Sequence, residues 1–452
     1  MPYDDMTTFV KLADFTFALT FDDIPDQVIA YAEDLLLDLI GVAAAASATD
    51  AGRISYEIAY SQFAASSDDQ AARMLFDGRK ASIAGAAYAG ATQIDNFDAH
   101  DGYAPNKGHI GVALLPSLLA FSENRSGISG REALVNLVQG YEIATRAGAV
   151  LHSTVEDYHT SGAWNALAVA AMGARLRGLN RQQLRQAIGI AEYHGPRSQM
   201  MREIDNPTML HDGSGWGALA GVTAALLAER GFTGAPAITV EADEVAQCWA
   251  DLGTHWFTLE QYIKPYPICR WAHAPIDGAL LLRKRNALTP GDVAAIEIST
   301  FHESARLASD MPENTSKAQY SLAFPVAAAV VRGRVGPDEV LGSGLKDLEI
   351  ARLVAATSVR ENDTYNERFP VGRWGDVTLV LIDGKRLESG PINARGGPGE
   401  RFERDEVSAK FHTFADGPIG SRRAGKISET IFNLHNQDAT LGELLDLVLS
   451  PP

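Results

Sequence analysis

A chain of 452 residues is longer than one hydrophobic core can serve, and it predicts roughly two or three domains. Its formal net charge of −18 argues against nucleic acid or an anionic membrane as partner, because both select an excess of Lys and Arg. With 46% hydrophobic and 21% charged residues the composition is that of a soluble globular protein, and any cluster of cations in it is informative.

The first part of the chain reads as helices. Asp23-Ile24-Pro25 opens one, with apolar positions at Val28, Ile29, Leu35, Leu36, Leu39 and Ile40. The stretch 81–93 is almost all small residues, so neighbouring helices can approach it closely, and a central position is expected. Helical patterns continue over 114–121, 131–150, 163–176, 181–192 and 216–229, with Gly178, Gly231 and Gly234 where C-caps belong. No βαβ rhythm or phosphate-cradling glycine motif interrupts them. After Asp277 the character changes. A helix over 278–286 is followed by a strand over 293–300, a helix over 317–332 and a hairpin over 376–389 turning at Asp383-Gly384. The Gly/Pro-rich run 388–400 reads as a crossing back, and 403–449 is helical again. The expected fold is therefore mainly α. A large all-helical domain is built from both chain ends (1–267 and 401–452), with a smaller α+β domain (268–400) inserted.

Cys248 and Cys269 are the two cysteines, far apart and without metal-ligand spacing, so neither a disulfide framework nor a structural metal is expected. The N-terminal stretch MPYDDMTTFVKLADF carries two early acids rather than a charged-then-apolar leader, and no window approaches ~18 unbroken apolar residues. A reducing cytoplasm is the expected address.

The chemistry-bearing residues fall in four stretches. In 264–277, KPYPICRWAHAPID, two prolines stiffen a run holding Lys264, Tyr266, Cys269, Arg270 and His273. Two fixed cations beside an imidazole suit a ligand with carboxylates, while a stiffened linker with solvated charges fits the same residues. The stretch 93–111 holds Asp95, Asp98, His100, Asp101, Lys107 and His109 in a Gly/Pro loop. It reads as a metal-free acid/base cluster, as a solvated acidic loop, or as a metal site, though HxH and HxxxH spacings are absent. His159 stands just before a helix whose first turn holds Thr160 and Ser161, and His211 stands in a Gly-rich lead-in to the 216–229 helix. Both places are near a helix N-terminus, where anions are favoured, and a capping role accounts for His159 equally well. His152, His194, His255, His302, His412 and His435 have no comparable surroundings.

These four stretches and a fifth, in order, resemble the MmgE/PrpD family, which includes 2-methylcitrate dehydratase, cis-aconitate decarboxylase and iminodisuccinate epimerase. They are IDNFDAHD (94–101) with GHI (108–110), YHTS (158–161), Trp216–Ala228, the run Lys264-x-Tyr266-Pro267-x-Cys269-Arg270-x-x-His273, and AQYS (318–321). The resemblance implies a cofactor-free homodimer in which the inserted domain is a lid. By motif it also implies active-site positions at Asp95, His109, His159 and His273, with Lys264 and Arg270 nearby and no metal. Beyond the motifs, His211 is a further catalytic candidate, and His100 and Tyr266 join Lys264 and Arg270 as candidates for binding substrate. Three positions depart from the family pattern. A Thr is replaced by Ala99, a Lys gives way to His211 or Thr208, and a Tyr becomes Phe324. The shared chemistry is proton transfer at a carbon beside a carboxylate, for which the enzyme needs a base and stabilisation of enolate charge. The departures point to epimerisation of an amino-dicarboxylate such as iminodisuccinate. The competing readings are hydro-lyase action on a 2-methylcitrate-like acid, a cis-aconitate decarboxylase-like lyase, and a non-catalytic carboxylate-binding dimer.

Overall fold

The computed structural model describes residues 7–451 apart from 124 and 126, so the first six residues of the N-terminal stretch discussed above lie outside it. The chain is mainly helical with a small sheet. The Asp26–Ala46 helix is buried on nearly every side. It starts later than its Asp23-Ile24-Pro25 signal implies, because Asp23 is used elsewhere. The Asp23 carboxylate accepts from the Thr20 backbone N–H at 2.9 Å and hydroxyl at 2.6 Å, closing a short 3₁₀ turn, and Pro25 then leads into the helix. The C-terminal Arg404–Ile419 helix lies against this helix. Arg404 reaches Asp34 at 2.8 Å, and Lys410 reaches Asp38 at 2.5 Å and the Ala99 carbonyl at 2.8 Å. The far end of the chain is thereby tied to its beginning and to the acid-rich loop.

The small-residue helix Ile83–Asp95 is central. It contacts Asp50–Gln62, Gly111–Ser122 and Ser214–Glu229, and the last of these packs in turn on Gly162–Leu176. That last approach is backbone to backbone: a Cβ at Gly217 would stand 2.6 Å from the Gly162 carbonyl oxygen. Two short strands, β1 (Ala71–Arg73) and β2 (Lys80–Ser82), pair antiparallel where the sequence suggested only helices. Three residues each are too few to show a period. Gly178 and Gly231 take the positive φ of a helix C-terminus, whereas Gly234 does not. Its N–H donates to the Gln186 side-chain oxygen at 2.7 Å instead.

The sheet comprises β3 (Val293–Thr300), β4 (Thr357–Glu361), β5 (Trp374–Leu381), β6 (Arg386–Glu388) and β7 (Ile392–Asn393). The order is β4-β3-β5-β6, with β7 also on β5; β3 and β4 run parallel and the other pairs antiparallel. The β5–β6 hairpin turns at Asp383-Gly384 as expected, with Gly384 at φ 85°. The helix His273–Asn286 packs on β5 and on Ala323–Arg332. The single helix expected over 317–332 is two, Thr315–Gln319 and Ala323–Arg332. Pro325 has no N–H to give the Ser321 carbonyl, so a continuous helix loses its hydrogen bond there. The intervening backbone bonds sideways: Ala308 N–H donates to the Tyr320 carbonyl at 3.0 Å, and Leu322 N–H to the Ala308 carbonyl at 2.9 Å. The break leaves Tyr320 facing a buried polar cluster.

Candidate active site

Three helix ends meet at this cluster. Ile83–Asp95 ends on Asp95, Gly162–Leu176 begins after Ser161, and Ser214–Glu229 begins after Gly213. Free backbone N–H groups at the two starts need acceptors, and acids supply them. The Ser214 N–H donates to Asp95 Oδ2 at 3.0 Å, and Ser161 donates to Asp212 Oδ1 from its backbone at 3.2 Å and its hydroxyl at 2.5 Å.

The loop after Asp95 is buried rather than solvated: Asp95, Asp98, His100, Asp101 and His109 are each at most 6% exposed. Asp101 organises it. Its carboxylate accepts from the Gly111 N–H at 3.0 Å and from the Tyr141 hydroxyl at 2.6 Å. Its carbonyl lies 2.6 Å from His109 Nδ1. A carbonyl oxygen can only accept, so Nδ1 carries the proton and the neutral ring presents a lone pair at Nε2. That nitrogen lies 3.4 Å from Asp212 Oδ2 and 4.0 Å from Asp98 Oδ1. The backbone of His109 is fixed as well, donating to Ser161 Oγ at 2.9 Å. His100 packs against it, the rings tilted by 52° with centroids 4.2 Å apart, and Asp95 Oδ1 is 3.5 Å from His100 Nε2.

Lys264 is buried against the same loop. Its ammonium donates to the Asp98 carbonyl at 2.9 Å and is ion-paired with the Asp98 carboxylate. Burial opposes that charge, but Asp98 outweighs it and Lys264 stays protonated. On another side of the cluster, Tyr320 donates to Glu203 Oε1 at 2.5 Å and lies 3.5 Å from His211 Nδ1. His211 and Glu203 line a cavity of about 330 Å³ together with Thr160, Arg202, Leu210 and Trp216.

The electrostatics follow from many buried acids and few buried cations, with the Lys264 ammonium foremost at His109 and His211. Burial raises Asp95 well above the usual carboxylate range, and the charge of Asp212 adds to it. Burial likewise raises Glu203 and pushes Asp212 up to about 6. These carboxyls therefore hold protons that exposed ones would release. The imidazoles move the opposite way. Burial and then Lys264 take His109 well below its ordinary value and His211 down to about 3, so both are neutral at neutral pH. The arrangement thus offers a neutral base with a fixed tautomer, and separately a protonated acid joined to an imidazole through a phenol.

The other expected site residues are placed as follows. His273 bonds the Ile268 carbonyl at 2.9 Å and packs on Tyr266, whose hydroxyl donates to Asp277 at 2.6 Å; both brace the 264–277 segment. His159 is half-buried, bridged to Gln199, and its backbone N–H donates to His152 Nε2 at 3.2 Å; no described contact joins it to His109. Arg270 lies over the Tyr262 ring at 3.8 Å, apart from the Asp98–Lys264 pair. Glu203, Asp212, Tyr262 and Arg373 escaped the sequence reading. Asp212 had a usable signal in its place beside His211; Glu203 and Arg373 lie in stretches without a pattern. Among the described residues no group of three or more His, Cys, Asp or Glu is arranged to hold a metal ion, and no helix is long and apolar enough to cross a membrane.

Comparison with known proteins agrees with the motifs. The model of the MmgE/PrpD N-terminal domain matches residues 10–252, and that of the MmgE/PrpD C-terminal domain matches residues 266–436. A relative from Aspergillus oryzae, described as cis-aconitate decarboxylase-like protein oryM, is 22% identical over 497 aligned positions that cover 97% of this chain and 96% of the relative.

Proposed function

The chain belongs to the MmgE/PrpD family, and from that premise we propose that it removes a proton from the carbon beside a carboxylate of a small polycarboxylate, with His109 as base. The observation that carries this reading is the His109 ring, held at Nδ1 by the Asp101 carbonyl and leaving a buried, unprotonated Nε2. The proton passes from carbon to Nε2, and the electron pair it leaves moves onto the carboxylate as an enolate. The Lys264 ammonium, buried near His109, stabilises that charge. A proton returns through His211. The Tyr320 hydroxyl rests on Glu203 and first turns to His211 Nδ1. As Nε2 gives a proton up, Nδ1 then takes the Tyr320 proton and Tyr320 takes one from the Glu203 carboxyl, so the ring need not become charged.

Acting on opposite faces of one carbon, the two histidines make an epimerase, and an amino-dicarboxylate such as iminodisuccinate is the substrate we assign. A second reading draws support from the decarboxylase-like relative: the same relay would protonate a departing hydroxyl or the carbanion left by loss of CO₂. A cytoplasmic homodimer without a cofactor belongs to either reading, supported by the free Cys248 and Cys269 and by the exposed Leu210 and Trp216 at the mouth of the His211 cavity. The deciding experiment is incubation with candidate acids in deuterated water, followed by NMR. Deuterium at a stereocentre without other change marks the epimerase, and an alkene or released CO₂ marks the lyase. If no acid exchanges or reacts, proton abstraction is the wrong reading.

A further inference from the structure

Two arginines outside the acid/base cluster are buried without an anion. Arg270 is 7% exposed and Arg373 is 3% exposed. Each spends one terminal nitrogen on a carbonyl: Arg270 Nη2 on Ala394 at 3.2 Å, and Arg373 Nη2 on Ala104 at 2.9 Å. Nε and Nη1 of both have no partner. Neither forms an ion pair among the described residues. Each is instead stacked on a ring, Arg270 on Tyr262 at 3.8 Å and Arg373 on Phe369 at 5.1 Å. A buried guanidinium with open donors is costly unless an anion completes it.

Both side chains line one cavity of about 520 Å³, at the seam between the 102–108 loop and the segments flanking β5 and β7. The two acids bordering it do not neutralise them. Glu260 is engaged by His255 at 2.6 Å and by the Tyr103 hydroxyl at 3.3 Å, and Glu400 pairs with neither arginine. Burial and the nearby charge of Arg373 lower Arg270 to about 10, so it remains a cation at neutral pH. The Tyr262 ring that carries Arg270 also packs near His109, with centroids 6.4 Å apart.

We infer that Arg270 and Arg373 form a carboxylate-binding site in this cavity, each offering its Nε–H and Nη1–H donors to one small polyacid. A guanidinium fork pairs Nη2 with Nη1 or with Nε, so the open Nη1–H or Nε–H, together with the second Nη2 hydrogen, can match the two oxygens of one carboxylate, which a lysine cannot do. The site's existence is independent of the reaction assigned above. That reading enters only in whose carboxylate it is, since the lone Tyr262 ring between Arg270 and His109 suits the remote carboxylate of a substrate whose reacting carbon lies at His109.

The test uses the full chain and tricarballylate, an unreactive tricarboxylate, with calorimetric titration and thermal shift. Wild type should bind it and melt higher in its presence. Arg373→Gln and Arg270→Gln should each weaken binding about tenfold to a hundredfold, with Arg373→Lys losing nearly as much. Without the anion, Arg373→Gln should melt no lower than wild type, because an uncompensated buried charge has been removed. Loss of stability in that variant together with unchanged tricarballylate affinity would make the arginines structural and overturn the inference, as would a wild-type affinity in both Gln variants. Where turnover is measurable, purely competitive inhibition by tricarballylate assigns the site to the substrate's own carboxylate, and non-competitive inhibition assigns it to a separate acid. His109→Asn should keep tricarballylate binding while losing deuterium exchange, so failure of the carboxylate site and failure of the proposed reaction are told apart.

Discussion

Protonation of His211 is the most quantitative consequence of the site. Burial and Lys264 hold this imidazole down to about 3, against an ordinary 6.5. Between those values the unfolded chain binds a proton at this residue that the native chain does not. Native stability therefore falls as pH falls through 6.5 toward 3, and the contribution is fully present above 6.5. Integrating the linkage from about pH 7 to about pH 5.5 gives a loss of about 1.3 kcal/mol from this one residue. Other groups titrate in the same range: Asp212 sits at about 6 and opposes the trend, because its folded value is raised. A difference measurement removes them. In urea unfolding at the two pH values, His211→Asn should lose about 1.3 kcal/mol less than wild type on acidification, whatever its absolute stability. Parallel losses in the two proteins would show that His211 titrates normally, and the neutral relay through Tyr320 would fall with it.

Three further outcomes follow from the same geometry. Lys264→Met leaves Asp98 buried without its counter-charge and should cost about 3–5 kcal/mol in urea unfolding, with much of it recovered in the Lys264→Met/Asp98→Asn double variant; equal stability of the single variant and wild type would remove the ion pair from the account. Because His109 is held well below 6.5, the acid limb of kcat/KM, measured with the substrate found by deuterium exchange, should lie below that value, and a midpoint at 6.5 would point to an exposed base instead. Gly217→Val presses its side chain into the Gly162 backbone, and differential scanning calorimetry should show a fall in Tm of several degrees; an unchanged Tm would mean the two helices separate at little cost.

Much of the fold was legible because helices carry their own period. The apolar spacing over Asp26–Ala46, the small residues of Ile83–Asp95 and the alternation of Val293–Thr300 are local patterns, and local patterns survive in a linear chain. Residues of the site were legible for the same reason: Asp95, His100 and His109 crowd one loop, and Lys264 and Arg270 share a proline-stiffened run. Their relations were not. That Lys264 is matched by Asp98, and that Arg270 shares its cavity with Arg373, depends on residues more than a hundred positions apart. Charge alone could not assign those partners, because a cation in sequence has dozens of possible acids. The loop about Asp101 belongs to the same category, since Tyr141 and the Gly102–Tyr262 bridge hold it from distant segments, whereas the break at Tyr320 had a local signal in Pro325. Residue types by themselves determined which chemistry was available. Burial, by stripping water from a crowded set of acids and imidazoles, decided which of them carry protons and so which can act as base or acid.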